Sequence, residues 1–543
     1  MSTTPPPESG TPSGAPDSPS VPTPGQTTTG DAASGNTAPG QASWANTEPG
    51  LPDNPWPALW ALVLGFFMIL VDSTIVSIAT PALMAHFAAD INQVLWVTSA
   101  YLLAYAVPLL ITGRLGDRVG PKRMYMIGLF VFTASSLWCG LTGSITGLIA
   151  ARVVQGLGAS MMTPQTMAVI TRTFPPQRRG SAMALWGATA GVATLVGPLL
   201  GGVLIDALDW RWIFFVNVPV GIIGLVAAWR LVPSLSTHSH AFDWVGVALS
   251  AVGLFCGVFA IQEGEQYDWG VITGWISVPL LLGIGAVLLI AFVWWQSRVR
   301  TEPLVPLSLF RDRNFSMANI AIVMVGFSVT AMVFPFTLYA QTVRGLSPTG
   351  AALLFAPQAI VSIILAPIAG RLIDRVHPRI LAGAGLITWS LGMFGLSHIM
   401  RPETPTWEIL LNATVLGIGG SFVWGPLSTS ASRNLPRHLA GAGSGVYNTT
   451  RQIGSVLGSA AIAALMQARF AAHLGGESTG AASMGGHSGT LPPAVADGMS
   501  AALSESMLLP ATVLIVAAIA ALLLERPVHL RRNAPAESTE PTA

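Results

Sequence analysis

Residues 61–79 read ALVLGFFMILVDSTIVSIA, apolar throughout except for three small hydroxyl residues and one carboxylate, Asp72. About twenty apolar residues in helical form cross the hydrocarbon core of a bilayer. A charge at that depth is expensive, so its presence points to use rather than to packing.

The rest of the chain has the same character. Of 543 residues, 51% are apolar and 9% charged, and the mean hydropathy is +0.60. A water-soluble domain of this size carries far more charge. Long apolar runs recur, so the expected fold is an all-α polytopic membrane protein. The runs are continuous rather than alternating, which excludes a transmembrane barrel. Cys139 and Cys256 both fall inside apolar runs, where they read as packing residues, with no disulfide framework and no metal site expected. Residues 1–52 are rich in Pro, Gly, Ser and Thr and lack Lys and Arg, the composition of a disordered cytoplasmic tail. Residues 526–543 form a second short cytoplasmic tail.

Fourteen spans are expected, near 58–80, 95–112, 123–141, 144–168, 181–204, 212–231, 242–262, 273–296, 315–341, 349–370, 379–399, 407–430, 441–468 and 505–525. With both termini inside, twenty basic residues fall on the cytoplasmic side. Only Arg211, Arg344, Arg401 and Arg469 fall outside. That bias is the positive-inside pattern. Tryptophans such as Trp60, Trp244, Trp275 and Trp407 cluster near span ends, where an amphipathic ring anchors at the interface. The largest outer connection, 469–504, reads as a flexible loop, with an Ala-rich stretch that could form a short helix.

Two loops repeat one pattern. Residues 113–123 read GRLGDRVGPKR and residues 370–380 read GRLIDRVHPRI, sharing Gly, Arg, Asp, Arg and Pro at matching offsets. Such repetition implies two related halves. Asp117 is placed to receive hydrogen bonds from a helix N-terminus, while Arg118, Lys122 and Arg123 face the inner surface.

On these residues the chain resembles the major facilitator superfamily, and more narrowly its fourteen-span drug:proton antiporters. LVDSTIVSIATPAL (70–83) resembles the first-helix motif, with Asp72 at its acidic position. LIAARVVQGLGAS (148–160) resembles the fourth-helix motif. WGATAGVATLVGPLLGG (186–202) resembles the fifth-helix antiporter motif, carried by Gly187, Gly191, Gly197, Pro198, Gly201 and Gly202. RQIGSVLGSA (451–460) matches a further segment of that branch. Gly116 stands where Ala is common, and Pro121 where a basic residue is frequent.

The resemblance implies two six-helix bundles, 53–231 and 315–525, with two additional helices at 242–296 between them. It implies a cytoplasmic latch built from Gly113, Asp117, Arg118, Lys122 and Arg123, with Arg371 and Asp374 in the second loop. It also implies that Arg152 approaches Asp72. Burial disfavours a charged carboxylate and a nearby guanidinium favours it, so such a pair can load and release a proton. The glycine motif packs helices closely and, in the family reading, seals the interface between halves so that exchange is favoured over leak.

Gln165, Asn319, Gln358, Asn412, Trp424, Asn448 and Arg451 are the sparse polar or aromatic groups expected near a central cavity. Such a lining suits small amphiphilic or cationic substrates better than a sugar. The expected function is therefore export of drugs or other hydrophobic or cationic solutes in exchange for protons by alternating access. The alternatives are export of a lipid, siderophore or metabolite, or a non-transporting membrane scaffold. No nucleophile, metal or nucleotide-binding constellation is present in the pattern, so no enzyme and no cofactor are expected, only a proton gradient. The expected partners are solute, protons and the bilayer, with no nucleic acid. A monomer in the bacterial cytoplasmic membrane is the expected form.

Overall fold

A computed structural model describes residues 54–237, 243–299, 303–373, 376–435, 440–474 and 492–525. The tails expected at 1–52 and 526–543, the middle of the 469–504 loop, and Asp374 lie outside the described residues.

Helices dominate because the runs are apolar and backbone groups in lipid must bond within their own segment. In the N-terminal part they are α1 (Trp56–Ile78), α2 (Thr80–Phe87), α3 (Ile91–Ala106), α4 (Leu109–Val119), α5 (Pro121–Leu141), α6 (Ile145–Thr173), α7 (Pro176–Ala207), α8 (Trp212–Phe215) and α9 (Asn217–Leu231). Two helices follow, α10 (Trp244–Glu263) and α11 (Val278–Arg298), joined through a short hairpin of β1 (Val271–Thr273) and β2 (Ile276–Ser277). The C-terminal part contains α12 (Arg313–Leu338), α13 (Pro348–Leu353), α14 (Ala356–Ile373), α15 (Pro378–Ile399), α16 (Thr406–Ser421), α17 (Trp424–Arg433), α18 (Ala440–Leu474), α19 (Pro493–Ser506) and α20 (Leu508–Leu522).

Side-chain caps start many of them. Asp90 accepts from the Gln93 N–H at 2.7 Å, Ser144 from Gly147 at 3.1 Å, Asp312 from Phe315 at 2.7 Å and Ser347 from Gly350 at 3.1 Å. Asp243 caps α10 and also accepts from Trp295 Nε1 at 2.7 Å and Gln296 Nε2 at 2.6 Å, tying α10 to α11. Between α4 and α5 the chain turns at Gly120, whose φ of 103° a side chain rarely adopts. Pro121 then opens α5 with its φ already set for a helix.

The fourteen-span count is corrected by the structure. Among the described residues twelve helices are long and apolar enough to cross a membrane, or thirteen if one bent pair is a single span. The bent pair is the segment expected at 95–112. There the chain breaks before α4 at Pro108, which has no N–H to donate, and bends by 51°. The segment expected at 181–204 lies in α7. That helix runs for 32 residues; among its described residues the apolar stretch is Val196–Ala207, and many side chains before Val196 lie outside the described residues.

The far end differs too. Residues 493–504, expected in an outer loop whose Ala-rich stretch could form a short helix, lie in the helix α19, with Met499, Ala502 and Leu503 buried, and α19 continues into α20 as one span. Trp60, Trp244, Trp275 and Trp407 are exposed, whereas Trp210 is buried against His86 and Phe87.

Buried apolar residues gather into a C-terminal core, running from Leu309 to Leu524, and N-terminal cores spread over α1, α3, α5, α6 and α9. These parts meet along two seams. On one, Ser99 Oγ of α3 lies 2.7 Å from Ser459 Oγ of α18. On the other, α7 meets α13: the Thr349 N–H donates to Asp206 Oδ2 at 2.9 Å. Nearby, Gln341 Nε2 donates to the Ile78 carbonyl at 2.9 Å.

Candidate functional site

The first helix delivers Asp72 into the N-terminal core, where it is wholly shielded from solvent. Arg152, on α6, is shielded to the same degree, and its Nη1 forms an ion pair with Asp72 Oδ2. The other carboxylate oxygen is held separately. Gln155 Nε2 donates to Asp72 Oδ1 at 2.9 Å, and Asn217 Nδ2 of α9 donates to it at 3.0 Å. Ser136 Oγ of α5 accepts from Gln155 at 2.6 Å and from Asn217 at 3.4 Å.

The guanidinium is placed as carefully. Arg152 Nη1 also donates to Gln155 Oε1 at 2.6 Å, and Nε donates to the Val97 carbonyl of α3 at 3.0 Å. Its Cζ stands 4.0 Å from the centre of the Tyr101 ring, a cation–π contact. Five helices therefore converge on one ion pair. A buried ion pair is costly to desolvate and repays it only when the remaining lone pairs and protons are satisfied. Here both carboxylate oxygens are satisfied, while Arg152 Nη2 has no hydrogen-bond partner.

Sequence reading identified Asp72 because a charge in an apolar run is rare, and Arg152 through the resemblance of 148–160 to the fourth-helix motif. It noted Gln155 only as part of a motif, and it passed over Ser136, Asn217 and Tyr101. Asn217, an amide in the apolar run after Phe214, carried the one available signal.

The loop motif forms the α4–α5 corner. Lys122 Nζ donates to the Trp229 carbonyl at 2.7 Å. Gly113 faces Pro164 of α6, Asp117 is half-buried, and Arg118 and Arg123 are exposed. A Cβ at Gly116 would strike the amide of Gln165, which explains glycine where alanine is common. Arg371 is exposed near the end of α14.

In the glycine motif, a Cβ at Gly197 would strike the Thr74 side chain and approach the Val71 carbonyl at 3.1 Å, and one at Gly201 would lie 2.7 Å from Ile75 Cγ1. The motif thus grips the stretch of α1 that carries Asp72. Gly202 faces the other way: a Cβ there would lie 2.7 Å from the Pro348 carbonyl, across the seam. Pro198 lies buried within α7; the side-chain surroundings of Gly187 and Gly191 are outside the described residues.

The groups expected near a cavity are dispersed, and no hydrogen bond joins any two of them among the described residues. Gln165 is 1% exposed and donates to the Thr112 carbonyl at 2.8 Å, joining α6 to α4. Asn319 donates to the Phe315 carbonyl of its own helix at 2.8 Å. Gln358 and Asn412 each bury a carbonyl oxygen without a partner. Trp424 is half-buried, Asn448 is buried, and Arg451 is half-buried on α18. Among the described residues no group of three or more His, Cys, Asp or Glu could hold a metal ion.

A helical membrane protein whose cores meet along two seams, with a charge pair sealed between its helices, is a membrane carrier. The Major Facilitator Superfamily profile matches residues 62–459. An uncharacterized MFS-type transporter of Mycobacterium tuberculosis is 53% identical over 474 residues, covering 87% of this chain and 81% of that protein. The tetracenomycin C resistance and export protein of Streptomyces glaucescens is 33% identical, covering 77% of each chain. The multidrug export protein EmrB of Haemophilus influenzae is 31% identical, covering 76% of this chain and 81% of that one. In fold, the chain is similar to a crystal structure of a bacterial homologue of the human lysosomal transporter Spinster, with TM-score 0.58 at 18% identity, covering 87% of this chain and 98% of that one. The chain belongs to the Major Facilitator Superfamily and groups with its multidrug-resistance-associated transporters. It is a bacterial cytoplasmic-membrane transporter and not an enzyme.

Proposed function

We propose that the protein exports hydrophobic or cationic small solutes in exchange for protons, with Asp72 as the proton-loading group and Arg152 as its switching partner. The observation that carries this reading is the division of labour on the carboxylate. Two neutral amides hold Oδ1 whether or not the group is ionised. Only Oδ2 faces the guanidinium. A proton arriving on Oδ2 cancels the charge that holds Arg152 and leaves the amide bonds in place. Because the pair touches no solvent in this conformation, a proton reaches it only when the helices part. Proton transfer is thereby tied to alternating access.

The relatives include proteins whose names state multidrug and antibiotic export, which supports an exporter of hydrophobic solutes. The α4–α5 corner, with Asp117, Arg118, Lys122 and Arg123, acts as the latch of one conformation. The glycine face of α7 acts as the seal against leak.

The deciding experiment uses proteoliposomes with an imposed proton gradient and a panel of hydrophobic solutes. The wild-type protein is expected to drive gradient-dependent flux, and Asp72→Asn to lose it. Retained coupling in Asp72→Asn removes Asp72 from the mechanism. Absence of gradient-dependent flux for every solute in the wild type would sink the exporter reading.

A further inference from the structure

Arg152 and Arg451 both place a guanidinium within a described span. Arg152 is neutralised by Asp72. Arg451 is not: among the described residues no carboxylate lies within ion-pair distance of it, and its Nη2 is buried without a hydrogen-bond partner. It lies two helical turns from Ser459, which meets Ser99 across the seam between α18 and α3. Tyr101 and Tyr105 lie on α3, which packs against α18, and Tyr447 lies on the same helix as Arg451.

Tyr101 and Tyr105 are already engaged, donating to the Ile69 carbonyl at 3.2 Å and sharing a hydrogen bond with Thr163 at 2.7 Å. Tyr447 is buried, and its hydroxyl has no partner. Positions 447 and 451 are four residues apart and share one helix face. The seam therefore presents an unsatisfied cationic donor and an unsatisfied hydroxyl on one face, beside aromatic rings. Such groups are costly to leave unsatisfied in a low-dielectric interior, and a ligand that satisfies them gains what the empty site lacks.

We propose that Arg451 and Tyr447 form the polar subsite for the transported solute, and that this solute is a hydrophobic molecule presenting an oxygen acceptor, as a carboxylate, phenolate or ring carbonyl. The inference rests on the exporter reading and narrows its solute class. Of the two classes named there, the permanent cation is repelled by Arg451 and finds no free carboxylate beside it. The subsite and the proton site are distinct: Arg152 lies over Tyr101 of α3, and Arg451 lies on α18.

The test is equilibrium binding to the purified full-length protein in detergent, which requires no gradient. The probes are anthraquinone-2-carboxylate and tetraphenylphosphonium, aromatic ions of opposite charge. The wild type is expected to bind the carboxylate about tenfold or more tighter than the phosphonium, the scale of one hydrogen bond to a charged group. Arg451→Gln should remove that preference and Arg451→Lys should keep part of it. Tyr447→Phe preserves side-chain volume and should weaken carboxylate binding about threefold, which keeps the test informative if Arg451→Gln fails to fold. Unchanged carboxylate affinity in folded Arg451→Gln or in Tyr447→Phe, or tighter phosphonium binding by the wild type, overturns the proposal. Either result leaves gradient-driven flux and its Asp72 dependence standing, so the two readings fail separately.

Discussion

Asp72 owes its position to donors on two other helices, and the energetics of that arrangement separate a structural role from a coupling role. Removing one member of a buried pair strands the other charge at a cost of about 3–5 kcal/mol, whereas removing both can be nearly neutral. Asp72→Asn and Arg152→Gln should each lower the melting midpoint, and the double variant should recover most of the loss. Proton-driven flux should be absent from all three. Recovery of flux together with stability in the double variant would reduce the pair to a strut. Asn217→Leu tests the second oxygen: it deletes one donor to Oδ1 and should destabilise the protein by about 1–3 kcal/mol in thermal melting. Asp72 was legible in the sequence because nothing else explains a charge in an apolar run, and Arg152 because its helix resembles a family motif. Gln155, Asn217 and Ser136 were not, because an uncharged polar residue in a membrane helix satisfies many neighbours equally well. Its partner is set by helix rotation, which periodicity does not determine.

Helix α7 shows what one element does when its two faces serve different neighbours. Gly197 and Gly201 meet α1, and Gly202 meets α13. At Gly197 the nearest obstruction is the Thr74 side chain, which can be trimmed; at Gly202 it is the backbone of Pro348 and Thr349, which cannot. Gly197→Ala should therefore cost about 1–3 kcal/mol and be partly rescued by Thr74→Ala. Gly202→Ala should cost a similar amount and resist rescue by any side-chain trimming on α13. Melting curves of the solubilised variants check both, and full rescue at Gly202 would contradict the close backbone approach. Element boundaries also explain the overturned span count. Apolar content located the segment at 95–112, but it does not register a bend at Pro108. The helical option for the Ala-rich stretch of Pro493–Ser506 was legible, but its union with the last span was not, since Ser, Asp and Glu resemble a loop while one face is buried.

Across the whole molecule, the two seams are where any alternation between conformations must be felt. The relation between distant parts of the chain was the least legible property, because Ser99 and Ser459 are 360 positions apart and neither is unusual in its own helix. In a background lacking Cys139 and Cys256, cysteines introduced at positions 99 and 459 should form a disulfide on oxidation. Flux should then fall to the level of empty vesicles and return with reductant; a cross-linked protein transporting at the uncross-linked rate would exclude parting at this seam. The pair α10 and α11 gives the two seams different surroundings. Glu263 at the end of α10 is buried and accepts from Asn92 at 3.0 Å and from Trp96, both on α3, while Phe259 lies 5.8 Å from Trp96. Val258 shares a core with Val456 and Ala460 of α18. α10 thus packs against both sides of the seam between α3 and α18. Parting α3 from α18 must therefore carry α10 along with one of them or break its anchorage at Glu263, a load that, among the described residues, the contact of α7 with α13 does not share.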